Sequence, residues 1–248
     1  MLDFLDPQPD PPALLVVVTA ALALAIVLAR RPWRLARNAI TIAHEGGHAL
    51  VAVLTGRRLR GIRLHSDTSG LTLSAGRPSG PGMVFTLLAG YVTPSLLGLL
   101  GAWLLGLDRI RLLLWIVVAL LLAMLVMMRN AYGMLAVLAT GVLVFAVSWY
   151  ASADVQAAFA YTGVWFLLLG GVKPVGELRR LRRRGYLPNS DADQLAGITR
   201  VRPLVWIVLF GLVNLVALVV GVALLVDPVA AWLQDALTTS ATARPDSS

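Results

Sequence analysis

Two histidines stand four residues apart, with a glutamate directly after the first: His44-Glu45-Gly46-Gly47-His48. On a helix, an i, i+4 pair projects both imidazoles from one face, at a spacing that a zinc ion accepts. Glutamate in the second position lies close enough to a zinc-activated water to take its proton. The flanks Asn38-Ala39-Ile40-Thr41-Ile42-Ala43 and Ala49-Leu50-Val51-Ala52-Val53-Leu54 are largely apolar. In a segment that looks membrane-buried, ionisable groups are costly and functional by default. A self-satisfied pair of buried histidines would leave the isolated glutamate unexplained. The pattern reads as the centre of a zinc hydrolase, with His44 and His48 as ligands and Glu45 as general base.

The rest of the chain must hold that centre in a bilayer. Of its 248 residues 58% are hydrophobic and 14% charged, with a mean hydropathy of +0.79. A soluble domain carries about 45–50% apolar and about 25% charged residues. The composition is that of an integral membrane protein. The absence of cysteine removes disulfides and thiolate metal sites together, which leaves histidine and carboxylate as zinc ligands. A net charge of +8 would hint at nucleic acid in a soluble protein. In a membrane protein it reads as topology instead, and no nucleic-acid partner is expected. Leu14 to Leu28 is apolar, with Asp3, Asp6 and Asp10 ahead and Arg30 and Arg31 behind. This is the reverse of a signal peptide, so the segment is expected to be a retained helix.

Hydropathy places spans near residues 12–30, 38–56, 82–106, 110–128, 131–150, 154–172 and 203–226. The expected fold is an all-α polytopic membrane protein of about seven transmembrane helices. It divides into a tail and first span (1–37), a membrane-embedded core (38–226) and an acidic, polar tail (227–248). That tail is expected to be partly disordered, with a short interfacial helix possible near Val229 to Leu237. Within the core, 38–56 carries the motif, 59–77 is too polar to span, 173–202 is a basic polar loop and 203–226 is the last span. Ile62-Arg63-Leu64-His65 and Leu71-Thr72-Leu73-Ser74 alternate around Ser66–Gly70, which predicts a small β-hairpin after the metal-binding helix. Counting seven spans puts Arg57, Arg58, Arg60, Arg63, Arg129, Lys173 and Arg179 to Arg184 on one side, with Arg30, Arg31, Arg34, Arg37, Arg109 and Arg111 on the other. The first set is larger and is expected to be cytoplasmic.

A catalytic zinc keeps three protein ligands and one open position. Asp108 and Asp154 fall at the far side in this topology, and Glu177 lies among arginines. The residues then leave two choices for the third ligand. One is Asp191 or Asp193 in Asn189-Ser190-Asp191-Ala192-Asp193-Gln194-Leu195-Ala196, which also reads as ordinary helix capping. The other is His65 or Asp67 of the hairpin, which also reads as a polar turn.

The His-Glu-x-Gly-His element on an early apolar helix, followed by a polar hairpin and a glycine-containing helix, resembles the site-2 protease family of intramembrane zinc metallopeptidases. The similarity is closest to its short bacterial M50B-like branch. Ser190-Asp191-Ala192-Asp193-Gln194-Leu195-Ala196 resembles a Ser-Asp-Ala-x-x-Leu-Ala element of that branch. Ala89-Gly90-Tyr91-Val92-Thr93-Pro94-Ser95-Leu96-Leu97-Gly98 resembles its third helix. The Asn-Pro…Leu-Asp-Gly element of the better-studied branch does not occur, and there is no room for its inserted PDZ domain. The resemblance implies Zn2+ held by His44, His48 and Asp191, with Asp193 as second choice, and hydrolysis of peptide bonds in transmembrane protein substrates. It also implies an integral protein of a bacterial plasma membrane with its site toward the cytoplasm.

Cleavage in a bilayer needs an unwound substrate and a polar cavity. Gly46 and Gly47 leave the metal helix open to close approach. The hairpin offers a strand edge, with Ile62, Leu64, Leu71 and Leu73 as candidate substrate contacts. Gly90 and Pro94 are candidate lining residues of the cleft. Two rival readings are a zinc hydrolase acting on a lipid-linked amide and a non-catalytic metal-binding membrane protein or transporter. A transporter would show further intramembrane ligands or repeated broken helices, and the other apolar segments are nearly free of acids and histidines.

Overall fold

The computed structural model describes residues 7–8, 11–185 and 189–242, with side chains up to residue 226. In chain order the elements are α1 (Ala13–Leu28), α2 (Arg30–Leu54), β1 (Arg58–Leu64), β2 (Gly70–Ala75), α3 (Pro81–Leu105), α4 (Ile110–Met127), α5 (Ala131–Tyr150), α6 (Ala153–Arg183), α7 (Asp191–Thr199) and α8 (Pro203–Thr242). The helix α8 runs on past the last apolar span, so the interfacial segment expected near residues 229–237 is part of one continuous helix. Residues 243–248 of the expected tail lie outside the described residues.

Among the described residues five helices are long and apolar enough to cross a membrane: α3, α4, α5, α6 and the Pro203–Val226 part of α8. The first two expected spans behave differently. Helices α1 and α2 meet at 100° and together make one further broken span or re-entrant segment, giving up to six spans where seven were expected. The break has a local cause. Ala29 is extended, with φ −76° and ψ 129°. Pro32 has no N–H to offer the Leu28 carbonyl, so a continuous helix would lose a rung there. Lys173 of α6 donates to the carbonyl of Val27 at the freed end and sits 4.3 Å from the Trp33 ring centroid. One turn further on, Arg37 pairs with Glu177 at 3.1 Å.

This break overturns the expected placement of the early arginines. The Gln8 amide donates to the Asp108 carbonyl, and its side-chain oxygen accepts from the Arg111 amide, both at 2.9 Å. The chain therefore enters at the α3–α4 turn, the end remote from the hairpin. Helix α1 then runs to the end of α6 that carries the arginine run. Arg30, Arg31, Arg34 and Arg37 follow it there and join the hairpin arginines; Arg109 and Arg111 remain at the opposite end.

Helix α3 is central and packs against α2, α6, α7 and α8. Without a hydrophobic drive between helices in lipid, close crossing depends on small residues. A Cβ on Gly98 would lie 2.9 Å from the Leu168 backbone nitrogen, and one on Gly101 2.6 Å from Val164 Cγ2. Helix α6 has 31 residues, roughly 46 Å of helix against a hydrocarbon core of about 30 Å. Its arginine-rich end therefore projects beyond the bilayer. The expected polar loop 173–202 is thus largely helical, built from the end of α6 and from α7.

The two strands pair antiparallel, with Ile62 opposite Thr72 and Leu64 opposite Gly70. The outer edge of β1 is covered. The Arg129 amide donates to the Ile62 carbonyl at 2.9 Å, and the Asn130 side chain bonds both the amide (3.2 Å) and the carbonyl (2.6 Å) of Leu64. Because the backbone groups of Ile62 and Leu64 point away from β2, those of their partners Thr72 and Gly70 point away from β1. They have no backbone partner among the described residues.

The cysteine-free chain allows single-cysteine variants to report sidedness. Arg34→Cys and Arg180→Cys are expected to react with a membrane-impermeant maleimide from the same side, and Leu107→Cys from the other. Labelling of Arg34→Cys together with Leu107→Cys would instead mean two full spans ahead of the hairpin.

Candidate metal centre

Helix α2 presents His44 and His48 on the face turned to α3, and α7 delivers Asp191 to the same point. His44 Nε2 and His48 Nε2 are 3.1 Å apart, and Asp191 Oδ2 lies 3.2 Å from the first and 3.3 Å from the second. Ligands about 2.0–2.1 Å from a tetrahedral zinc stand about 3.3–3.4 Å from one another. The three atoms therefore occupy the corners of one face of such a site and leave a fourth corner open. Among the described residues this is the one group of three or more ligand-type side chains able to hold a metal ion.

Both imidazoles are held by a second contact. His48 Nδ1 lies 2.7 Å from the Thr86 carbonyl oxygen and, protonated, donates to it, which turns the lone pair of Nε2 toward the centre. The His44 ring stands edge-on to Tyr91 at 4.8 Å, and Tyr91 in turn stacks on Phe210 of α8 at 5.1 Å. Gly90 closes the same wall: a Cβ there would fall 2.6 Å from His44 Nε2 and against the His48 ring. On the other side of the motif, a Cβ on Gly47 would lie 2.6 Å from Thr93 Cβ and 3.1 Å from the Ala89 carbonyl oxygen. The two motif glycines thus serve different neighbours: Gly47 admits α3, while Gly46 packs against Met124 of α4.

The short helix α7 separates its two aspartates cleanly. Residues two apart point about 200° apart around a helix. Ala192 and Leu195 are fully buried in a cluster with Leu87, Val175, Leu178 and Phe210, which fixes the helix on its bed. Asp191 then faces the histidines, while Asp193 turns to Arg182, with which it pairs, and to Ser190. The Ser190 hydroxyl donates to Asp193 Oδ2 at 2.6 Å and accepts from the Asp193 amide at 3.3 Å, a capping arrangement. Burial opposes ionisation of Asp193, but Ser190 and Arg182 hold its carboxyl below the ordinary range. Burial likewise opposes ionisation of Asp191, and the adjacent His48 and His44 still hold it well below that range.

His65 and Asp67 stand apart from this group. Both are exposed in the turn between the strands, where Asp67 Oδ1 accepts from the Ser69 hydroxyl at 2.6 Å and from its amide at 2.9 Å. Those bonds hold the Asp67 carboxyl below its usual range. Of the hairpin residues expected at a substrate, Leu71 and Leu73 are exposed, while Ile62 and Leu64 are buried in the core. Pro94 is also fully buried, within α3.

Glu45 is buried at 4% exposure and points to the hairpin. Its Oε2 accepts from the Thr72 hydroxyl at 2.6 Å. Thr72, Gly70, Thr86 and Tyr91 were not singled out by sequence reasoning. The available signal was the alternation of β2, whose polar and glycine positions share one face.

Residues 17–221 match the model of a family described as peptidase M50B-like. The chain belongs to the peptidase M50B-like family. The matched span includes α2, the hairpin, α3 and α7, and so every residue of the centre. No curated protein and no solved structure matches the chain.

Metal content of the purified M50B-like protein tests the centre. His48→Ala and Asp191→Ala are expected to lose a stoichiometric divalent cation, while Asp193→Ala keeps it. Gly90→Ala is expected to weaken binding by about 10–100-fold, as displaced ligand supports do elsewhere. Full occupancy in Asp191→Ala would remove α7 from the centre.

Proposed function

We propose that this chain is an intramembrane zinc metalloprotease that hydrolyses peptide bonds of membrane-spanning proteins. The observation that carries the reading is the spacing of His44 Nε2, His48 Nε2 and Asp191 Oδ2 as three corners of a tetrahedron, with the buried Glu45 next to His44 in sequence, in a chain of a peptidase family. Two imidazoles and one carboxylate form a donor set that suits zinc. When bound, the ion acts as a Lewis acid toward the attacking water and the scissile carbonyl. Glu45 takes a proton from that water and passes it to the leaving amine. Thr86 and Tyr91 hold the imidazoles in place, and the buried face of α7 turns Asp191 toward them.

The substrate is an extended segment drawn from a transmembrane helix. It adds to the open edge of β2, where the backbone groups of Gly70 and Thr72 are available. Leu71 and Leu73 flank that edge on the exposed face. The gathering of arginines at the site's end supports a cytoplasmic site, and the membrane is read as a bacterial plasma membrane.

Glu45→Gln is expected to keep the metal and to lower cleavage of a co-expressed single-span substrate by about 10²–10⁴-fold, the usual contribution of a positioned base. Cleavage at the native rate in that variant would exclude this mechanism.

A further inference from the structure

We infer that Thr72 is the residue that positions the Glu45 carboxylate, and that position 70 is glycine so that the carboxylate can take this place. The inference rests on reading Glu45 as the base, and adds to it a second element, the hairpin, as part of the catalytic apparatus.

A buried carboxylate needs hydrogen bonds or a countercharge. Among the described residues Glu45 has no ion pair, and its one side-chain hydrogen bond comes from the Thr72 hydroxyl at 2.6 Å. The same hydroxyl lies 3.1 Å from the Glu45 main-chain carbonyl oxygen, so one threonine reads both ends of the residue. Thr72 is opposite Ile62 in the sheet and shares its face, the side packed against the core. An apolar β-branched residue would fill that position equally well; the hydroxyl is what meets the acid.

Gly70 lies on the same face. A Cβ there would fall 2.5 Å from both Cγ and Oε1 of Glu45. Its own φ lies outside the left-handed region, so the glycine is required by the approach of the carboxylate and not by the turn. One helical turn before Glu45, the Thr41 hydroxyl donates to the Thr68 carbonyl at 2.9 Å. The hairpin is thus registered to α2 at residues 41 and 45 through residues 68 and 72. With Oε2 engaged by Thr72, the other oxygen is left for proton transfer, in one fixed orientation.

The test uses the purified, metal-loaded full chain and a fluorescently labelled single-span polypeptide that the native protein cleaves. Thr72→Val keeps the shape and removes the donor. It is expected to lower kcat about 10–100-fold, the scale of a misplacement near 1 Å, with KM within about twofold and metal content unchanged. Thr72→Ser should restore kcat to within about threefold of native. A native kcat in Thr72→Val overturns the proposal, and so does a Thr72→Ser as slow as Thr72→Val. Should Thr72→Val fail to fold, Gly70→Ala takes its place: it displaces the carboxylate while keeping the hydroxyl. A fall in kcat with full metal supports the proposal, and native kcat overturns it. Glu45→Gln separates the two readings. Full activity there sinks the base and the hairpin's role together, whereas an inactive Glu45→Gln beside a native-like Thr72→Val sinks the Thr72 inference alone.

Discussion

Nothing in this bilayer protein is more costly than two imidazoles and two carboxylates at its centre, and the structure depends on each of them having a partner. Hydrocarbon offers no water to satisfy a stray donor or acceptor. Here His44, His48 and Asp191 face one another at 3.1–3.3 Å, His48 has the Thr86 carbonyl behind it, and Glu45 has Thr72. The Glu45 carboxylate has the least to spare: without the Thr72 hydroxyl it would be buried and unpaired, which costs more than the bond itself contributes. The neighbouring oddities of sequence follow from the same demand. Gly90 and Gly70 lack side chains where a side chain would push an imidazole or a carboxylate off its partner.

A second constraint is that the partners come from elements of unlike character. Helix α2 must bring histidines into the bilayer while its first turns are arginine-rich, and α7 must bring an aspartate from outside it. The 100° break at Ala29 resolves the first problem. It separates the short apolar α1 from an amphipathic helix whose basic start stays beside the arginines of α6. Lys173 and Glu177 fasten that corner through Val27, Trp33 and Arg37. The second problem is met by Ala192 and Leu195, whose burial fixes α7 in rotation so that Asp191 and not Asp193 faces inward.

Much of this was legible in the sequence, and the reasons it failed elsewhere are physical. The motif on α2 was readable because charge in an apolar run is rare and the i, i+4 period is strict. The hairpin was readable from alternation around a polar turn. The break was not, because hydropathy windows see composition and not direction: residues 12–30 and 38–56 look like two spans whether they run antiparallel or at 100°. Pro32 after two arginines was the available sign, and it reads equally well as the ordinary first turn of a helix. The faces of the hairpin were readable only in part. Ile62, Leu64, Leu71 and Leu73 all alternate as expected substrate contacts, yet only Leu71 and Leu73 are exposed, whereas Ile62 and Leu64 are buried and share their face with Thr72 and Gly70, which meet the Glu45 carboxylate. Periodicity reports which residues share a face; it does not report what that face meets.

The two edges of the hairpin are unequal, and under the proposed function the inequality selects substrates. A two-stranded ribbon alone is marginal in stability. This one is supported on the β1 side by Arg129 and Asn130, whose groups stand in for a third strand. The β2 side keeps open backbone groups only at alternate residues. A helix that unwinds there frees both backbone groups of every residue released, and the strand edge pairs those of only every second one. In lipid that deficit is severe, so a stable apolar helix resists entry. A helix already weakened by glycine, proline or a polar residue near the membrane face has fewer bonds to lose. Selection on the proposed reading would therefore act on how readily a segment unwinds, before any side chain is recognised.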